Sequence, residues 1–235
     1  LTLRRTNRMQ GFVNYTFSQA KGTGSYSRQN GASLEQNANQ ITIITPLYFN
    51  QTHRGSISLD YRFAENDGGP ILERTGLNML FTFNSGHAYT LSTGGIGQND
   101  VDIGGILSDT DPRNRRPLEA IGSSTTPWVF NFDLRLDKTF TVGPVDLNAY
   151  VYVQNLLNRK NVLNVYPRTG NADTDGYLEE YELSGPSLAS YGEPYRALYQ
   201  AINNENRRHW YIAGMFHGDL WGTPRQIRAG INIMY

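Results

Sequence analysis

An acidic segment in the last third of the chain carries oxygen-bearing side chains at regular spacing. Residues 171–182, NADTDGYLEEYE, follow the calcium-loop pattern D-x-[DN]-x-[DN]-G-x5-E, with an asparagine in the first place. The side chains of Asn171, Asp173 and Asp175 would supply oxygens at the first, third and fifth positions. Gly176 would allow the sharp turn that follows them.

The rest of the segment completes a set of ligands for a hard cation. The backbone carbonyl of Tyr177 would be the next ligand, Glu179 would act through water, and Glu182 would close the site with two oxygens. We therefore predict Ca2+ as a cofactor at these residues. The alternative is an acidic turn without metal, because the first position lacks its charge and no clear helical pattern flanks the segment.

No other residues have the spacing of a catalytic or redox centre. The histidines His53, His87, His209 and His217 are scattered, and none belongs to an H-E-x-x-H motif. The absence of cysteine excludes disulfide and zinc-thiolate chemistry. Lys plus Arg and Asp plus Glu number 21 each, so no excess positive charge attracts nucleic acid. We expect neither an enzyme nor a nucleic-acid-binding protein.

Seven segments of alternating apolar and polar residues make up the framework around the acidic segment. Strict alternation over about 10 residues predicts a β-strand rather than a helix. One short helix is predicted at residues 193–205, with a proline in its first turn. The predicted strands are LTLRRT (1–6), GFVNYTFSQ (11–19), HRGSISLDYRF (53–63), GLNMLFTFNS (76–85), WVFNFDLRLD (128–137), VDLNAYVYVQ (145–154) and RQIRAGINIMY (225–235).

The charged residues of the clear strands all fall on the face opposite the apolar one. Successive side chains of a strand point to opposite faces, so each strand would have one apolar and one polar side. We expect the apolar side to meet lipid and the polar side to line a wet interior. The charged residues on the polar side are Asp60, Arg62, Asp133, Arg135, Asp137 and Arg228.

Short and long connections alternate between the predicted strands. The links at 7–9, 64–74 and 143–144 are short or moderate, whereas those at 22–52, 88–127 and 158–224 are long. Outer-membrane barrels have short periplasmic turns and long extracellular loops. The sequence thus predicts an all-β, antiparallel transmembrane β-barrel segment of about seven strands with long extracellular loops.

Composition agrees with a sheet of which only one face is apolar. Apolar residues make up 38% and aromatic residues 12% of the chain, and no apolar run reaches the length of a transmembrane helix.

Two alternatives to this membrane barrel stay open. One is a secreted soluble β-sandwich that binds glycans, in which the apolar face packs on a second sheet. The other is a passive pore or adhesin-like barrel built from several copies.

The residues resemble a known family of membrane proteins. Residues 131–162, NFDLRLDKTFTVGPVDLNAYVYVQNLLNRKNV, resemble the late barrel segment of TonB-dependent outer-membrane receptors. VYPRTGNADTDGYL (165–178) resembles the loop that follows in a Bacteroidota-like branch. WGTPRQIRAGINIMY (221–235) resembles the closing strand, although the family usually ends on Phe rather than Tyr235.

This resemblance implies a barrel of about 22 strands with a plug in its lumen. It implies active uptake of a bulky, scarce ligand (a siderophore, glycan, peptide or vitamin) across the outer membrane of a Gram-negative bacterium. The TonB-ExbB-ExbD complex would drive uptake through the plug. Residues 1–235 would be the C-terminal barrel segment, and the plug and earlier strands would lie outside this chain. The residues that bind the ligand are unknown.

Strand number implies further partners for this chain. A complete single-chain bacterial barrel has an even number of strands, usually with both ends on the periplasmic side. Seven strands that begin at the outer rim do not meet that condition. We therefore expect both edges, residues 1–6 and 225–235, to pair with further barrel strands of the same or a separate chain, and the barrel to contact outer-membrane lipid.

Overall fold

Seven strands form one antiparallel sheet in the computed structural model, which describes residues 1–23, 44–93, 116–205 and 220–234. Each strand pairs with the next one along the sequence. The strands are β1 Thr2–Thr6, β2 Met9–Phe17, β3 His53–Arg62, β4 Thr75–Asn84, β5 Val129–Val142, β6 Val145–Gln154 and β7 Gln226–Met234.

All seven predicted strands are confirmed, and the differences lie at their ends. The largest one is in β5, which continues to Val142 instead of ending at Asp137. The described part of the chain is mostly antiparallel β-sheet with few helices, in agreement with the predicted all-β class. No helix in these ranges is long and apolar enough to cross a membrane.

The register places the apolar residues of neighbouring strands side by side. Side chains alternate between the two faces, so a shift of one residue would turn every apolar side chain of a strand to the polar face. One apolar row crosses six strands through Gly11, Leu59, Met79, Leu134, Val153 and Ile227.

The strands β1 and β7 are the two edges of this sheet. Among the described residues no ladder joins one edge to the other. The seven strands therefore do not close on themselves there. The pairing of both edges with further strands stays a prediction, and Tyr235 lies outside the described residues.

Two of the short links are two-residue turns. Asn7 has a φ of 55° between β1 and β2, and Gly143 has a φ of 63° between β5 and β6. The ring of Pro144 keeps φ negative, so Gly143–Pro144 forms a turn of type II′. The twist of this turn matches the twist of the flanking strands, which fixes the β5–β6 register.

Salt bridges join the three short links to one another. Arg8 Nε donates to Asp67 Oδ2 at 2.6 Å and connects the first link to the second. Arg74 contacts Asp146 at 2.5 Å and connects the second link to the β5–β6 hairpin. The hydrogen bonds from Arg8 hold the pKa of the Asp67 carboxyl below its usual value. This end of the sheet is thus held by local ion pairs.

A short helix, α1 (Gly69–Leu72), lies in the second link. The Lys138 ammonium donates to the carbonyl oxygens of Ile71 and Glu73, each at 2.8 Å. Lys138 belongs to the part of β5 beyond the predicted strand and shares a face with Leu136. The apolar face therefore carries one charge near this end of the sheet, where backbone carbonyls satisfy it.

Two-residue ladders organise the first two long connections. Each ladder is a short pairing within or between loops, separate from the main sheet. The three ladders pair Lys21–Gly22 with Thr45–Pro46, Ala88–Tyr89 with Ser124–Thr125, and Ser92–Thr93 with Arg116–Pro117.

A carboxylate bridges the two arms of the second long connection. Glu119 Oε1 accepts a hydrogen bond from the Leu91 backbone N–H at 2.6 Å, and Oε2 accepts one from Ser124 Oγ at 2.8 Å. These hydrogen bonds lower the pKa of Glu119, because they favour its charged form. Both arms therefore depend on an ionised Glu119.

The last long connection contains the main helical segment. Helix α2 spans Tyr181–Tyr199, with a kink at Gly192, and a π-helix follows at Gln200–Glu205. The predicted helix at 193–205 is confirmed, with Pro194 just after the kink. The half of α2 before the kink was not predicted, because Gly185 and Pro186 interrupt its sequence pattern.

We predict that Glu119→Gln removes an acid-sensitive contact. The stabilisation from Glu119 is fully present above the ordinary glutamate pKa of 4.5 and is lost as the pH falls through the lowered folded value. Hydrogen exchange at the Leu91 amide, normalised to intrinsic rates, should rise in the variant at neutral pH. In the parent it should rise only on acidification.

The matched control is Glu193→Gln, which removes the charge of an exposed glutamate that pairs with Arg196. This control should leave exchange at Leu91 unchanged. Equal exchange in Glu119→Gln and the parent at neutral pH would contradict the bridging role.

Candidate functional site

The apolar side chains of the seven strands are not buried, in contrast to those of a soluble sheet. Only Gly55, Gly76 and Asp137 are buried, and no apolar side chain of the strands is among them. Soluble antiparallel sheets normally bury an apolar face against a core. The large apolar side chains exposed on one face include Val13, Tyr15, Phe17, Ile57, Leu136, Phe140, Val151, Ile227, Ile231 and Ile233.

Aromatic rings form a band on the apolar face at the end where the long connections begin. The His53 ring stacks on Trp128 at 5.6 Å, and Trp128 stacks on Phe130 at 6.0 Å and on Phe83 at 6.4 Å, between ring centroids. Tyr15 Oη lies 2.7 Å from His53 Nδ1. Such bands occur at the level of the membrane interface in outer-membrane barrels.

A chain of ion pairs crosses the polar face. Arg5 contacts Asp60 at 2.5 Å, Asp60 contacts Arg62 at 3.2 Å, and Arg62 contacts Asp137 at 3.2 Å. Asn148 Nδ2 also donates to Asp137 Oδ2 at 3.2 Å. These groups come from β1, β3, β5 and β6, so the network spans most of the sheet. The structure thus brings together three of the charged residues predicted on this face.

The other predicted charges lie on the same face at β5 to β7. Arg135, Tyr152 and Arg228 are register partners and form one row. Asp133 accepts hydrogen bonds from Tyr152 Oη at 3.2 Å and from the Asn155 backbone N–H at 2.9 Å. All six predicted charges therefore share one face.

The first part of the acidic segment forms a turn that uses its own oxygens. Asn171 Oδ1 accepts hydrogen bonds from the backbone N–H groups of Asp173 and Thr174, each at 3.0 Å. The Asp173 side chain is 70% exposed and lies 3.4 Å from Lys160 Nζ. Gly176 has a φ of 78°, in agreement with the sharp turn predicted there.

The centre of the segment is buried. Asp175 is 0% exposed, and its two oxygens accept hydrogen bonds from the Tyr177 backbone N–H at 3.0 Å and from Tyr199 Oη at 2.6 Å. The Tyr177 and Tyr199 rings stack at 4.4 Å. Together with Leu178 they form one of the two hydrophobic clusters of the last connection. Asp175 thus attaches the acidic segment to α2.

The last two predicted ligands lie towards α2. Glu179 Oε1 accepts a hydrogen bond from Thr174 Oγ1 at 3.0 Å. Glu182 is in the first turn of α2, and its side chain lies outside the described residues. Within the described ranges, no three acidic or histidine side chains are grouped as metal ligands. Calcium at residues 171–182 stays a prediction, beside the alternative of a metal-free turn.

Sequence reasoning missed the contact between Asp175 and Tyr199. It also took no helix to flank the acidic segment, whereas α2 begins at Tyr181. The signal available in the sequence was the set of three tyrosines at 177, 195 and 199. Their side chains belong to one cluster, in which the hydroxyls of Tyr177 and Tyr195 are hydrogen-bonded to each other.

The four histidines of the sequence do not form a site in the described ranges. His53 and His87 lie near the sheet end with the long connections, and His209 and His217 are outside the described residues.

Comparison of the chain with protein-family models, with curated proteins and with solved structures gave no match. The functional conclusion therefore depends on the two faces of the sheet and on the residues themselves.

The calcium prediction has a test that leaves the buried contacts intact. If the segment binds Ca2+, a chelator should increase proteolysis of residues 158–224 in the parent protein. Asp173→Asn should give the same increase without chelator, because Asp173 is exposed and contacts only Lys160 in the described part. Limited proteolysis followed by mass spectrometry measures both effects.

Asp175→Asn serves as the comparison, because it disturbs the Tyr199 contact whether or not metal binds. If chelator leaves proteolysis of the parent unchanged, residues 171–182 form a metal-free turn.

We also predict that Asp137→Ala destabilises the sheet by about 1.5–3 kcal/mol, the range for hydrogen bonds to charged groups. Asp137 is 3% exposed, and its removal leaves the Arg62 guanidinium and the Asn148 amide without their shared acceptor. Urea unfolding of the purified protein measures the loss. The control Asp146→Ala breaks an ion pair in the β5–β6 turn region that solvent screens, so it should cost clearly less. Equal losses in the two variants would contradict a central role for Asp137.

Proposed function

We propose that the chain is the C-terminal barrel segment of a TonB-dependent outer-membrane transporter that takes up a bulky, scarce ligand. The observation that supports this proposal is the distribution of side chains on the two faces of the sheet. One face has exposed apolar residues, and the other has a network of charged residues. Such a sheet is stable when its apolar face meets lipid and its polar face meets a wet lumen.

The energetics of the two faces favour this arrangement. A charged residue on the lipid face near the middle of the bilayer costs about 2–4 kcal/mol. The network of Arg5, Asp60, Arg62 and Asp137 lies entirely on the opposite face. Lys138 is the exception among the described strand residues, and it lies near the short-link end, where a lysine can reach the interface.

The ends of the sheet support an orientation. The long connections and the aromatic band lie at one end, and the tight turns lie at the other. We assign the end with the long connections to the cell surface and the end with the turns to the periplasm. Outer-membrane lipid, further barrel strands, a plug and the TonB-ExbB-ExbD complex are the partners in this proposal.

The edges of the sheet need partners in a membrane. Backbone N–H and C=O groups that stay unpaired in hydrocarbon cost several kcal/mol each. The proposal therefore pairs β1 and β7 with barrel strands outside this chain. A soluble glycan-binding sandwich would instead need a second sheet over the apolar face, and none covers it in the described ranges.

Fractionation of the native protein in its own cells tests the proposal. Peptides of this chain should occur in the outer-membrane fraction and should be released by detergent but not by high salt. Recovery of the protein as a soluble monomer without detergent would contradict the proposal and favour the sandwich.

A matched pair of variants tests which face meets lipid. Ile231→Arg places a charge on the apolar face and should lower the folded, membrane-inserted fraction, with a stability loss of about 2–4 kcal/mol near mid-bilayer. Asn232→Arg, its neighbour on the polar face, should be tolerated. Heat-dependent gel mobility measures the folded fraction. Equal behaviour of the two variants would contradict the assignment of the faces.

A further inference from the structure

Two arginines on the polar face have no carboxylate of a described residue at hydrogen-bond distance. Arg228 Nη2 donates to Gln226 Oε1 at 3.0 Å, and no salt bridge involves Arg228 in the described part of the chain. The nearest carboxylate to Arg135 is that of Asp137, whose Oδ1 lies 3.9 Å from Arg135 Nε. Arg135 Nε is buried and has no hydrogen-bond partner.

The carboxylates beside these arginines are already engaged by other donors. Asp133 accepts hydrogen bonds from Tyr152 and Asn155. Asp137 accepts hydrogen bonds from Arg62 and Asn148, as described above. Among the described residues Arg228 has no carboxylate partner, and Arg135 has only the long contact with Asp137, a carboxylate that Arg62 and Asn148 hold more closely. A donor without an acceptor costs free energy, so an anion that accepts hydrogen bonds from the guanidinium would be favoured.

The position of Arg135 is set by an aromatic ring. Its guanidinium carbon lies 4.6 Å from the centroid of the Tyr150 ring. Tyr150 in turn lies across Gly230 of β7, because a Cβ at Gly230 would come within 2.7 Å of Tyr150 Oη. A glycine in the interior of a strand often marks such a close approach. Gly230, Tyr150 and Arg135 therefore form one positioned unit.

The row geometry lets the two guanidiniums serve one ligand. Arg135 and Arg228 are separated by Tyr152, so their Cα atoms are about 10 Å apart across three strands. The Arg135 side chain is 40% exposed and Arg228 is exposed, so both are accessible from the polar side. A guanidinium presents parallel N–H groups that match the two oxygens of a carboxylate.

We propose that Arg135 and Arg228 form a subsite that binds the carboxylate group of a small anionic ligand. It rests on the proposed function, in which this face lines the interior of the barrel. The neutral side chains of Tyr150 and Gln226 lie beside the two arginines. The nearby carboxylates of Asp133 and Asp137 are already bound by other donors. The proposal thus assigns acidic small molecules as the ligand class.

Citrate is the probe for this subsite. The protein purified from its own membranes in detergent should bind citrate saturably by isothermal titration, and added salt should weaken the binding. Arg135→Gln combined with Arg228→Gln should weaken it by at least about tenfold, or about 1.4 kcal/mol. The control Arg5→Gln removes the same type of charge from the same face, but from a residue with a carboxylate partner. It should change the affinity by less than about twofold.

A third variant tests the positioning of Arg135. Tyr150→Leu keeps both arginines but removes the ring under Arg135, and it should also weaken citrate binding. Unchanged heat-dependent gel mobility shows that each variant is folded. Absence of saturable citrate binding, an equal loss in Arg5→Gln, or full binding by the double variant would overturn the subsite. Binding of inorganic phosphate as tight as that of citrate would overturn the assignment to carboxylates.

Failure of this inference and failure of the proposed function give different results. A protein that fractionates with the outer membrane but does not bind citrate contradicts the subsite alone. A protein that is soluble without detergent contradicts the transporter, whatever it binds.

Discussion

The period-two alternation of side chains, held in one register from β2 to β7, is the constraint on which the rest of the structure depends. It places the network of Arg5, Asp60, Arg62 and Asp137 on one face and the exposed apolar residues on the other. A slip of one residue in any pair would set charges among apolar side chains. The tight turn at Gly143 protects the register of β5 and β6, because it leaves no residue to spare. The β1–β2 pair instead has a register shift between Leu3 and Thr6.

The charged network connects the strands of this sheet, a role that an apolar core has in a soluble sheet. Asp137 is the charged side chain that is buried within the strands. Its oxygens accept hydrogen bonds from Arg62 of β3 and Asn148 of β6. Each bond is modest, but together they connect strands whose apolar side chains pack on no core in the described part of the chain. The same network engages the local carboxylates, so that among the described residues Arg135 keeps only a long contact with Asp137 and Arg228 has no carboxylate partner.

The last long connection is organised differently from the sheet. Its two clusters, one around Tyr166 and Trp221 and one around Tyr177 and Tyr199, are the hydrophobic cores of the described residues. The buried carboxylate of Asp175 attaches the acidic segment to α2 through Tyr199. The last long connection is thus held by its own side chains, with or without the predicted calcium.

The sequence by itself determined the seven strands, the residues on each face and the helix after Gly192, because alternation and turn residues are local signals. It did not determine that Asp175 would be buried against Tyr199 or that Tyr150 would lie over Gly230. Those contacts join residues of different elements, and only the tertiary structure brings them together. The sequence also placed Arg62, Asp137 and Arg135 on one face. Only the register showed that Asp137 lies closer to Arg62 than to Arg135. Partner choice in a sheet depends on which residues lie opposite each other, and side-chain spacing along one strand carries no such information.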